Sequence, residues 1–157
     1  MKRVHGLLGA FAVCAATTSA EAFCSYFNYT IGPAQVVPPS AGAGFGGSEM
    51  FLCEDHLLTG SIGVYTADTV TAVHIHGPAG TSELAPVLFT LALPAMNYVG
   101  VNIGPLTAEQ ELLIERELAY VDVHSVEHPN GILRGQIRHE VAVVPTAWAQ
   151  VKALYRN

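Results

Sequence analysis

The sequence is poor in positive charge, in tryptophan and in cysteine. Its 157 residues carry seven Lys and Arg against thirteen Asp and Glu, a formal net charge of −6. A protein that grips nucleic acid by its phosphates needs a basic face. No Lys/Arg cluster interleaved with aromatics occurs in this chain, so nucleic acid is not an expected partner. No apolar stretch approaches the ~20 residues that a membrane-spanning helix needs. There is no Gly-x-Ser-x-Gly elbow to expose a nucleophile. Nor does a Gly-rich loop open a helix to cradle a phosphate. Serine hydrolase and nucleotide-binding chemistry are thereby set aside.

The three cysteines are Cys14, Cys24 and Cys53. Met1-Lys2-Arg3 is a basic start, Gly6 to Ala16 is a short apolar run, and Ala20-Glu21-Ala22 places small residues two apart. That order reads as a secretory signal over residues 1–22, with cleavage expected after Ala22. Its loss removes Lys2, Arg3 and Glu21, so Lys plus Arg falls from 7 to 5, Asp plus Glu from 13 to 12, and the net charge becomes −7. Cys14 leaves with it. Cys24 and Cys53 then allow one pairing, which an oxidising compartment, periplasm or extracellular space, favours. The absence of Cys-x-x-Cys spacing argues against a thiolate metal site. Asn28-Tyr29-Thr30 fits the N-glycosylation pattern.

The expected mature chain reads as mostly strand. Ala34 to Val37 is expected as a short edge strand stopped by Pro38-Pro39. Ser48 to Cys53 and Leu57 to Tyr65 have hairpin spacing, and Thr69 to His76 is a β-branched run that meets a turn at Gly77-Pro78. Pro86 to Leu93 is apolar at nearly every position, which predicts burial on both faces. Leu106 to Arg116 reads as a helix, with Thr107 as N-cap and Gln110 three residues on. Ala119 to His124 alternates, and it returns through Pro129-Asn130-Gly131 into Ile132 to Arg138 as a hairpin. Short strands with Gly/Pro turns every ~10 residues predict an all-β antiparallel sandwich with one short helix. The domain is expected over residues 23–144, and residues 145–157 form a tail with a possible short helix.

Three patches of this chain resemble the CHRD (chordin) domain family. Gly32 to Pro39 is similar to its opening patch. Val73-His74-Ile75-His76-Gly77-Pro78-Ala79 resembles its central one. Ala119 to Ser125, followed by Pro129-Asn130-Gly131-Ile132-Leu133-Arg134-Gly135-Gln136-Ile137, is similar to its closing one. Order and spacing agree over about residues 31–140. The chain departs from the family pattern at Asp122 (usually Asn), at Leu133 and at Val37 (usually Glu). The resemblance implies an extracellular, immunoglobulin-like or superoxide-dismutase-like sandwich. It also implies a possible role in binding an extracellular protein, as chordin binds growth factors.

His74 and His76 are two apart on a strand, so their rings share one face roughly 6–7 Å apart. Neutral imidazoles so placed suit copper or zinc. His124 ends another strand, and Tyr120 and Asp122 share its face. Copper–zinc superoxide dismutases are similar in this local respect, with His-x-His on one strand, a further histidine and a nearby arginine. The candidate ligands are therefore His74, His76 and His124. Asp122 is placed behind them, to orient His124 or to pair with Arg134. Arg134 is either an anion guide or a partly buried group bonded to carbonyls. The competing view is that all three rings are hydrogen-bonded structural groups. His128 lies in the hairpin loop outside the matching patches. His56 and His139 are expected on solvated turns beside Glu54, Asp55 and Glu140. The leading expectation is a secreted binding domain with a copper or zinc site. Its alternatives are a copper-dependent, dismutase-like oxidoreductase and a metal-free protein-interaction module.

Overall fold

The computed structural model describes residues 24–139. The expected signal and C-terminal tail lie outside them. Eight strands form: β1 (Cys24–Ile31), β2 (Phe45–Cys53), β3 (Leu58–Tyr65), β4 (Val70–His76), β5 (Val87–Thr90), β6 (Tyr98–Ile103), β7 (Tyr120–Ser125) and β8 (Leu133–Gln136), with helix α1 (Ala108–Glu115) between β6 and β7. Every pairing is antiparallel. One four-stranded sheet runs β1-β2-β3-β6 and the other β5-β4-β7-β8. The fold is an all-β sandwich.

The alternation seen in the sequence explains why two sheets pack. A strand sends successive side chains to opposite faces, so each strand supplies the core with every second residue. Phe27, Met50, Ile62 and Val99 from the first sheet and Val73, Ile75, Val121, Val123 and Leu133 from the second are all fully buried between the layers. Helix α1 begins where Thr107 accepts from the Gln110 backbone N–H and Gln110 Oε1 accepts in turn from the Thr107 N–H. This capping box satisfies two N–H groups that the helix itself leaves without acceptors. Ile114 is the residue that the helix buries in the core.

Two expectations need correction. Ala34 to Val37 is not an edge strand; Pro33–Gln35 is a turn of 3-10 helix. Pro33 fixes a φ that suits the first helical position, and Gln35 and Val36 donate backbone bonds to Gly32 and Pro33 instead of to a ladder. The opening strand is β1, residues earlier. The apolar run at Pro86–Leu93 is not buried on both faces either. Its strand, β5, lies at the sheet's edge, and Val87 is 46% exposed. An all-apolar run is buried on both sides only when layers cover both faces of its strand, and Val87, paired with His76, is left open.

The sandwich closes where β8 passes β1. Gly32 and Arg134 exchange both backbone hydrogen bonds, at 2.9 and 3.2 Å. A side chain on Gly135 would meet Ile31 and would place its Cβ 2.5 Å from the Thr30 carbonyl oxygen. Gly135→Ala should therefore cost ~1–3 kcal/mol by forcing the strands apart, readable as a lower denaturant midpoint at unchanged m-value. Cys24 and Cys53 face each other across β1 and β2 and are joined, with Cα atoms 4.1 Å apart at a sequence separation of 29. Replacing both by serine should lower unfolding free energy by ~3 kcal/mol on the chain-entropy account. Guanidinium titration of the two proteins checks it.

Candidate metal centre

The site grows out of strand parity. On β4, Val73 and Ile75 enter the core, so His74 and His76 face outward; on β7, Val121 and Val123 enter, so Tyr120, Asp122 and His124 face outward. The antiparallel register sets His74 opposite Asp122, His76 opposite Tyr120, and the small Ala72 opposite His124. Arg134 and Gln136 on β8 extend these rows beyond Asp122 and Tyr120. The outer face of this sheet is thus a lattice of polar groups, and loops shield much of it.

The three histidines come together. Ring centroids lie 5.5 Å apart for His74 and His76, 5.1 Å for His74 and His124, and 6.4 Å for His76 and His124. One ring nitrogen from each lies within 4.8 Å of the others. Backbone carbonyls decide which nitrogens are available. His76 Nδ1 sits 2.9 Å from the Ala85 oxygen and His124 Nδ1 sits 3.0 Å from the Pro129 oxygen. A carbonyl only accepts, so both Nδ1 atoms carry a proton, and in the neutral ring each Nε2 then keeps a lone pair. Those two Nε2 atoms, and His74 Nδ1, are buried without a hydrogen-bond partner. Burial first, then the neighbouring His124 and His76, holds His74 below its ordinary value of 6.5, which leaves it neutral at pH 7.

The neighbours hold these rings in place. His76 stacks on Tyr120 with planes 4° apart, and the Tyr120 hydroxyl accepts from the Ala85 N–H at 3.2 Å. The loop residue that clamps His76 is itself anchored to the ring beneath it. Asp122 Oδ2 is 3.9 Å from His124 Nε2, which is beyond hydrogen-bond reach. Asp122 Oδ1 has no partner, and burial raises the acid's pKa while His124, His76 and Arg134 oppose that rise. Gly131 lies against this carboxylate: a Cβ there would stand 2.8 Å from Oδ1, and its φ of +117° favours glycine besides. Arg134 is 1% exposed, donates from Nη2 to the Gly80 oxygen at 3.0 Å and lies 3.6 Å above the Tyr120 ring. Of the two readings of Arg134, the geometry is that of a buried group bonded to a carbonyl.

The other histidines among the described residues stand apart from this cluster. His128 Nδ1 donates to Asp68 Oδ2 at 2.9 Å. His56 meets Glu111 at 2.6 Å rather than its sequence neighbours Glu54 and Asp55. His139 is half-buried, packs at a tilt against Phe27 with ring centroids 4.6 Å apart, and meets Glu115 at 3.0 Å. Sequence reasoning missed the carbonyls of Ala85 and Pro129, because main-chain acceptors carry no residue signal. The only trace of them was the turn Pro129-Asn130-Gly131, which fixes where the second carbonyl points.

An antiparallel sandwich whose outer sheet face presents imidazoles from two strands is the class that these observations define. The family model described as the CHRD domain matches residues 27–137, and the chain belongs to that family. No curated protein and no solved structure is significantly similar to it. Family membership suggests an extracellular binding module. The disulfide agrees with an oxidising compartment. Among the described residues, no helix is long and apolar enough to cross a membrane.

The tautomers are directly measurable. In metal-free protein, nitrogen-15 NMR should find His76 and His124 as Nδ1–H tautomers with unprotonated Nε2. Deleting Asn130, which shifts the Pro129 carbonyl, should return His124 to the Nε2–H form that predominates in the free histidine side chain while leaving His76 unchanged.

Proposed function

We propose that this chain is an exported binding domain that holds one transition-metal ion, copper before zinc, on His74, His76 and His124. The observation that supports it most is that one ring nitrogen from each histidine lies within 4.8 Å of the others, while each ring keeps a buried nitrogen without a partner and two rings are held by carbonyls through Nδ1. Metal-binding histidines commonly donate their second N–H to a carbonyl in this way, which fixes ring direction and raises ligand basicity. Nitrogens that share an ion at ~2.0–2.1 Å in tetrahedral geometry stand ~3.3 Å apart, so small ring rotations would complete the set. Imidazoles without thiolates suit Cu(II) and Zn(II), and the general affinity order places copper above zinc. Asp122 Oδ2 lies 3.9 Å from His124 Nε2, and a cation held there would favour the charged form of this buried acid. Arg134 stands one position further along the same row as His74 and Asp122. Residues 1–22 as an export signal and 23–144 as the released domain complete the reading; amino-terminal sequencing of secreted protein should begin at Phe23.

Calorimetric titration tests the site. The secreted chain should take up one equivalent of Cu(II), and Zn(II) more weakly. His74→Ala should lower affinity by more than the ~10–100-fold that losing an outer partner costs, whereas His128→Ala should leave it unchanged. Superoxide turnover by the copper-loaded chain would extend the reading to the oxidoreductase. No uptake by either metal with folded protein would leave the protein-interaction module. That second reading has its own support in exposed aromatics on the other sheet, where Phe45, 66% exposed, and Tyr98, 54% exposed, both meet Tyr65.

A further inference from the structure

A cleft of about 480 Å³ opens between the Pro33–Gln35 turn, the loop after β4 and the end of β8. Its volume falls in the range of small-molecule sites. Arg134, Gln136 and Arg138 reach it from alternate positions along β8 and its extension, and Ala34, Val36 and Val37 give it an apolar wall. No carboxylate lines it among the described residues.

Two of these groups are buried and incompletely used. Arg134 is 1% exposed, spends Nη2 on Gly80 and rests on Tyr120, yet Nη1 has no partner. Gln136 is 4% exposed; its Nε2 donates to Ala79 and Glu117 at 2.8 and 2.7 Å, yet Oε1 has no partner. Buried donors and acceptors without partners are costly, and a buried guanidinium calls for an anion. The two vacant functions are opposite: Arg134 needs an acceptor, and Gln136 needs a donor. Inorganic phosphate offers mainly acceptors, which meets the first need and not the second.

We propose that the cleft binds a small ligand bearing a carboxylate next to an amide N–H, as an N-acylated amino acid or the last residue of a peptide does. The carboxylate meets Arg134 and Arg138, the N–H meets the Gln136 oxygen, and an apolar side chain lies against Val36 and Val37. The site is separate from the three histidines and stands whether or not they hold a metal.

Calorimetry with N-acetyl-L-valine and the full chain tests it. The expected result is saturable one-to-one binding in the ~0.1–10 mM range fitting a small ligand, at least ten times tighter than for N-acetyl-L-valinamide. Arg138→Gln, at an exposed position, should weaken binding about tenfold by removing a charged hydrogen-bond partner. Ala34→Trp should abolish it by filling the mouth, with the thermal midpoint unchanged. A short peptide ending in valine, run alongside, tells which source of the carboxylate fits better. Absence of binding by both acids, equal binding of acid and amide, preference for inorganic phosphate, or indifference to both substitutions in folded protein overturns the proposal.

Discussion

The pairing register between β4 and β7 is the constraint on which the structure depends. It sets Val73 against Val123 and Ile75 against Val121 on the core side, and His74 against Asp122 and His76 against Tyr120 on the other. A slip of one residue would send imidazoles into the core and valines to the surface. Burial of four aliphatic side chains therefore holds the histidines in place, and it does so without touching them. Hydrophobic packing on one face is what makes polar geometry on the opposite face reproducible.

That arrangement also explains how one sheet can carry so many buried polar groups. Tyr120 lies beneath two different partners, the His76 ring and the Arg134 guanidinium. The loop that returns from β4 covers these groups and supplies the carbonyls of Ala79, Gly80 and Ala85 as acceptors. Main-chain oxygens satisfy one nitrogen of each clamped ring and leave the other free. The result is a polar layer that is bonded at its back and carries unpartnered nitrogens at its front.

Much of this was legible in the sequence, and the parts that were not share a cause. The alternation at residues 119–124, the capping box at Thr107 and the His74/His76 pair are local patterns, and each was read correctly as to element and face. Cys24 and Cys53 were matched by simple elimination. The misreadings concern context. Ala34 to Val37 has β-like residues, but the preceding Pro33 turned the chain first. Pro86 to Leu93 has the composition of an inner strand, but topology left it at an edge. His139 looked like a turn residue, yet the helix brought Glu115 beneath it and β1 brought Phe27. Of the site, the ring-bearing residues were visible and the acceptors that orient them were not, because carbonyl direction depends on fold rather than on residue type.

The bond from His124 to Pro129 gives the connection between β7 and β8 a weight that surface loops seldom carry. Both its cyclic residue and its glycine are tied to what stands across from them, one through an oxygen, the other through the space it leaves for a carboxylate. Lengthening or shortening that bend by a single residue would spare every strand and still swivel an imidazole out of alignment. Natural variation in chains of this type should accordingly be freer in the bends on the opposite sheet than in this one.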